Sequence, residues 1–122
     1  MAGGTKMTFV EELKQLSEKV ELQHKLDRQL AEVKAKMKVS AKNGYRCFKI
    51  EIFTIGMLAD PVCLPEVRAE NYYAFYTGNE DIYVETIIKF LGELGFTMSD
   101  MSFIKSIREN AGYKSMLITI TW

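Results

Sequence analysis

The sequence is poor in the residues that most catalysis needs. It holds one histidine, His24, two cysteines, Cys47 and Cys63, one tryptophan and two prolines, and its 16 Lys+Arg balance 16 Asp+Glu to a formal net charge of zero. One imidazole with neighbours such as Glu21 or Asp27 is a poor ligand set for zinc, and His24 reads as a solvated helix-surface residue. A nucleophilic Ser or Cys would need a base beside it, and His24 has no companion pattern. The two cysteines lack metal-ligand spacing and read as reduced thiols acting as small hydrophobes. No glycine-rich phosphate loop is present: Gly3-Gly4 lies in the N-terminal tail, and Gly92 and Gly95 are helix-end residues. The carboxylate pairs Glu11-Glu12 and Glu80-Asp81 fall at helix N-termini, where the helix dipole explains them. The balanced charge argues against a body that is wholly an electrode for nucleic acid or membrane. No apolar run reaches the ~18 residues of a membrane span, and no signal pattern is seen, so a cytoplasmic protein without metal, cofactor or membrane partner is expected. The expectation is a non-enzyme.

What is present is one domain's worth of chain: 122 residues, 48% hydrophobic and 26% charged. Residues 1–7 read as a flexible tail and 8–122 as a single α+β domain. Thr8-Phe9-Val10-Glu11 has the Thr-x-x-Glu form of a capping box, so a helix should start at Phe9. From there to about Lys42 there is no Pro or Gly, which gives a helix ~50 Å long. Its apolar residues form two stripes, Phe9, Leu13, Leu16, Val20 and then Leu26, Leu30, Val33, Met37, each spaced +4, +3, +4. The second lies about a quarter turn round from the first at ~100° per residue, with the changeover between Glu21 and Lys25. The two halves are therefore expected to kink or to face different partners, one the domain's own sheet and the other a second copy of the chain. Two short stripes are too little for a sustained coiled coil.

Asn43-Gly44 should end the helix. Phe48, Ile50 and Ile52 alternate with Lys49 and Glu51 in the strand that follows, which makes one face core and one wet. Gly56 to Pro65, with Pro61 and Pro65, reads as a long loop. Val67 to Tyr76 leans to a strand, Thr77-Gly78-Asn79 to a turn, and Ile82, Ile87, Ile88, Leu91 and Leu94 mark a second helix closed by Gly95. Phe96 to Glu109 fits a strand or a short helix. The segment from Tyr113 to Trp122 is the clearest strand, with Met116, Ile118, Ile120 and Trp122 on one face. The sum is an α+β fold: a long N-terminal helix, then a small antiparallel sheet with a second helix packed on it.

The aromatic run Tyr72, Tyr73, Phe75, Tyr76, with Tyr83 beyond it, exceeds what one strand face buries, so one row is expected in the core and the other left for a partner or ligand. A planar base stacked on Phe75 or Tyr76, phosphate held by Lys105 and Arg108, and sugar or base bonded by Asn79 or Asn110 would make a binding site of it. A protein interface, where Tyr is enriched, is the competing use. Lys34, Lys36, Lys38, Lys42 and Arg46 gather near the first helix's end and read mainly as a solvated basic face, with nucleic-acid binding a minor reading.

The order Ala41-Lys42-Asn43-Gly44-Tyr45, strand, a helix ending Leu94-Gly95-Phe96, and a terminal Ile118-Thr119-Ile120-Thr121-Trp122 resembles small proteins of tailed bacteriophages over about two thirds of the chain. Within that group, a long dimerising helix joined to an aromatic-bearing sheet is similar to the anti-Thoeris sponges, which sequester a cyclic ADP-ribose-type signal without destroying it. That resemblance implies a homo-oligomer formed through the long N-terminal helix, a small nucleotide-like ligand such as a cyclic oligonucleotide, and a place in the host bacterial cytoplasm. None of the family's binding residues is carried over by position. The rival expectation is a phage-encoded interaction module that inhibits a host or defence protein.

Overall fold

A computed structural model describes residues 8–55, 70–108 and 113–122. The chain divides into two compact units, residues 1–32 and 33–122. The first helix, α1 (Phe9–Lys42), begins in the first unit. Its capping box forms as the sequence predicts: the Glu11 N–H donates to Thr8 Oγ1 at 3.2 Å and the Thr8 N–H to Glu11 Oε2 at 3.3 Å. The first stripe is exposed along its whole length, from Leu13 at 47% to Phe9 at 72%. Leu26 and Leu30 of the second stripe are buried, and His24 is exposed.

In the second unit, α1 runs on to Lys42 and stops where Gly44 takes a φ of 92°, a left-handed conformation that a side chain would resist. Four strands follow: β1 (Cys47–Ile55), β2 (Tyr72–Thr77), β3 (Met101–Arg108) and β4 (Tyr113–Thr121). The second helix, α2 (Glu80–Glu93), lies between β2 and β3 in sequence. The strand order is β2-β1-β4-β3. β4 is antiparallel to both of its neighbours, whereas β1 and β2 are parallel. The sheet, expected as antiparallel, is thus mixed, with one parallel pair beside two antiparallel ones. The physical reason is the connection: β1 ends at Ile55 and β2 starts at Tyr72, a separation long enough for the crossover that parallel neighbours need. The expected loop at 56–65, with its two prolines and Cys63, lies outside the described residues.

Register assigns the faces. Phe48, Ile50 and Ile52 of β1 lie in line with Ile120 and Ile118 of β4 and with Tyr73 and Phe75 of β2. This face carries the core, since Phe48, Ile50, Ile52, Phe75, Ile118 and Ile120 are all fully buried. α2 covers it with Tyr83, Ile87 and Leu91, and Phe75 meets Tyr83 edge to face at 6.1 Å. Val33 and Met37 of α1 are buried, and two side-chain bonds tie that part of the helix to β2 and the turn before it: Lys36 Nζ donates to the Tyr72 carbonyl at 2.8 Å and Ser40 Oγ to the Glu70 carbonyl at 3.1 Å. The ambiguous segment after Phe96 resolves into a 3-10 turn, Met98–Asp100, and the strand β3.

The opposite face departs from the expected wet one. Lys49 is exposed, but Phe53 is fully buried and Tyr72 nearly so.

Candidate functional site

The aromatic strand β2 divides its rings between the two faces of the sheet. Tyr73 and Phe75 lie with α2, their rings 4.9 Å apart, while Tyr72 and Tyr76 lie on the other side. The expected split into one core row and one free row does not occur, because each row has a buried member. Tyr72 is buried, and its hydroxyl is satisfied there by donating to Glu51 Oε1 at 2.6 Å. Burial first, and then the hydrogen bond and negative charge of Glu51, hold that hydroxyl protonated well above the usual tyrosine range. Tyr76 is the exposed ring of the run at 41%, and its inner side stacks on Phe53 at 5.3 Å and 14°.

The six sequence-predicted binding residues do not converge. Phe75 has no exposed surface to offer a base. Tyr76 is on the opposite face and on the opposite edge strand from Lys105. Arg108 is three positions after Lys105 in the same strand, so its backbone position belongs to the other face. Asn79 caps α2, its Oδ1 accepting from the Ile82 N–H at 3.4 Å, while its own N–H donates to Thr77 Oγ1 at 2.9 Å. Asn110 lies outside the described residues.

Lys105 instead belongs to a groove of about 600 Å³ between α2 and the β3–β4 side of the sheet. Val84, Ile88 and Met116 give it an apolar floor. Its charges are Glu80, Asp81 and Glu85 against Lys89 and Lys105, three carboxylates to two ammonium groups. Lys105 Nζ is 3.8 Å from Glu80 Oε1, and Glu80 Oε2 accepts from Thr54 Oγ1 at 3.3 Å. An excess of carboxylate with its nearest ammonium already paired is a poor cradle for phosphate.

The basic residues near the end of α1 do not form one free stripe either. Lys36 is bonded to Tyr72, and Arg46 Nε donates to the Trp122 carbonyl at 3.4 Å. Lys34 and Lys38 flank a smaller apolar groove of about 210 Å³ formed by Met37, Ala41, Leu94, Phe96 and Trp122. Among the described residues, no group of three His, Cys, Asp or Glu side chains could hold a metal ion, and no helix is long and apolar enough to cross a membrane.

Two apolar surfaces stand exposed among the described residues. One is the stripe Phe9, Leu13, Leu16, Val20 on α1, whose spacing was readable in the sequence. The other is β3, where Phe103 and Ile107 on one face and Ile104 on the other are exposed at 37%, 58% and 56%. The sequence signal for the second was the adjacent pair Phe103-Ile104, which puts an apolar side chain on each face of one strand. Against known proteins, the chain matches no family model, no curated protein and no solved structure.

Proposed function

We propose that the protein is a non-enzymatic interaction module that presents the α1 stripe to an apolar groove on a partner protein. The carrying observation is that stripe: four apolar side chains at i, i+4, i+7 and i+11, all about half exposed or more, on one face of a capped helix. That is the anchor spacing by which a helix is read in a groove. A phage inhibitor of a host or defence protein fits this reading, because blockade needs binding and no turnover. The test is affinity capture from bacterial lysate with the wild-type chain and with Leu13→Glu/Leu16→Glu. Both side chains are exposed, so the variant should melt with the wild type while losing the captured protein. Retention of the same protein by the variant, or capture of none by either chain, overturns the reading.

A second reading, capture of a nucleotide-like signal, is supported by the exposed ring of Tyr76 on its Phe53 backing. Native mass spectrometry with a panel of cyclic nucleotides tests it. A ligand mass on the wild type that Tyr76→Ala loses supports capture; a chain that gains no mass from the panel ends it.

A further inference from the structure

The sheet has two edges, and they are finished differently. At β2, the Asn71 carbonyl accepts from the Lys49 N–H at 2.9 Å and so points into the sheet. The next carbonyl, of Tyr72, therefore points outward, and Lys36 Nζ meets it there. Ser40 does the same for Glu70, so side chains of α1 occupy this edge. At β3, by contrast, no hydrogen bond from the described residues meets the outer edge. The strand is eight residues long and carries exposed Phe103, Ile104 and Ile107 on its two faces. Long edges of this kind invite a further strand, and natural proteins usually blunt them with charge or proline. Here the only charge between Met101 and Ile107 is Lys105, which is drawn toward Glu80.

We propose that the β3 edge pairs with β3 of a second copy of this chain, antiparallel about a twofold axis through Ile104, to make one continuous sheet of eight strands. The register follows from elementary constraints. A twofold axis normal to the sheet keeps each face continuous, so it must pass through a residue position. Only axes at residues 104 and 105 pair seven residues of the strand with seven of its copy. An axis at 105 sets Lys105 against Lys105, and like charges directly opposite destabilise a pair. An axis at 104 sets Ile104 against Ile104, Phe103 against Lys105, Met101 against Ile107 and Ser102 against Ser106. It also brings Asp100 of each copy opposite the Arg108 position of the other. Apolar residues on both faces then gain cross-strand neighbours, and the cation of Lys105 lies beside an aromatic ring.

The test uses the full chain with Cys47→Ala and Cys63→Ala, into which one cysteine is placed. Residues directly opposite in an antiparallel pair have Cα atoms about 4.5–5.5 Å apart, within disulfide range. With diamide as oxidant, taking two electrons and two protons per disulfide, Ile104→Cys should cross-link at least tenfold faster than Ile107→Cys, whose own copy lies out of register. Light scattering should give the mass of a dimer, and Ile104→Lys should move it to monomer at equal concentration with the circular dichroism spectrum unchanged. Cross-linking should persist in Leu13→Glu/Leu16→Glu, which separates this edge from the α1 stripe. A monomer at all concentrations, equal cross-linking at positions 104 and 107, or a dimer abolished by the α1 substitutions overturns the proposal.

Discussion

The Tyr72 hydroxyl donates to Glu51 Oε1 at 2.6 Å across the parallel pair β1–β2, on the sheet face away from α2. The two residues are diagonal neighbours, Glu51 being level with Ala74 and Tyr72 with Lys49. A bond from a buried phenol to a carboxylate fixes the tyrosine as a proton holder. The folded chain keeps that proton above the pH at which the unfolded chain releases it. Stability from this group is therefore complete below the ordinary tyrosine pKa of about 10 and declines as pH rises beyond it. Tyr72→Phe should cost about 1.5–3 kcal/mol at pH 8, the range for a hydrogen bond to a charged group. The gap between variant and wild type should narrow between pH 9.5 and 11 in urea melts; a constant gap over that range would show that the bond is not coupled to titration.

Phe75 and Tyr76 are adjacent in sequence and opposite in consequence. Phe75 is fully buried against Tyr83, so Phe75→Ala should destabilise by about 3–5 kcal/mol. Tyr76 is 41% exposed and stacks on one side only, so Tyr76→Ala should cost about 1–2 kcal/mol from the lost ring pair and partial burial. Thermal melts of the two variants check this, and equal losses would show that the faces are misassigned. Any binding assay must therefore use Tyr76, since failure of a Phe75 variant would report unfolding.

The helices and most of the strands were legible in the sequence because their signals are local. The Thr8–Glu11 box, the Asn43-Gly44 stop and the alternation from Met116 to Trp122 each depend on residues a few positions apart. The parallel β1–β2 pair was not legible, because direction is decided by how a long connection returns, and alternation within a strand is the same either way. The burial of Phe53 and Tyr72 was missed for a related reason. A tyrosine row reads as amphipathic, and only the register reveals that Glu51 lies within reach of its hydroxyl. The proposed binding set failed to gather because Lys105 and Arg108 are three apart in a strand, a spacing that joins residues on a helix and separates them on a sheet.

Lys105 is over half exposed at its side chain, and its 3.8 Å pair with Glu80 is open to water and salt. Lys105→Ala should therefore change stability by less than about 1 kcal/mol, and the small difference should vanish in 0.5 M NaCl. Urea midpoints with and without salt check this. A loss that resists salt would mean that the lysine stem supports the apolar floor formed by Val84, Ile88 and Met116.

Two glycines separate backbone strain from packing. Gly44 holds a φ of 92° and Gly92 lies in the last turn of α2, and a Cβ at either would meet nothing within 4 Å. Space is thus equal at the two sites, and only conformation differs. At Gly44 an alanine must adopt the left-handed conformation, so Gly44→Ala should destabilise by about 1–2 kcal/mol. At Gly92 an alanine keeps the helical conformation and restricts the unfolded chain, so Gly92→Ala should stabilise by about 0.5–1 kcal/mol. The two melting temperatures should move in opposite directions from the wild type. A fall for both would place a neighbour against position 92, and no change at 44 would show that the end of α1 adapts to a side chain there.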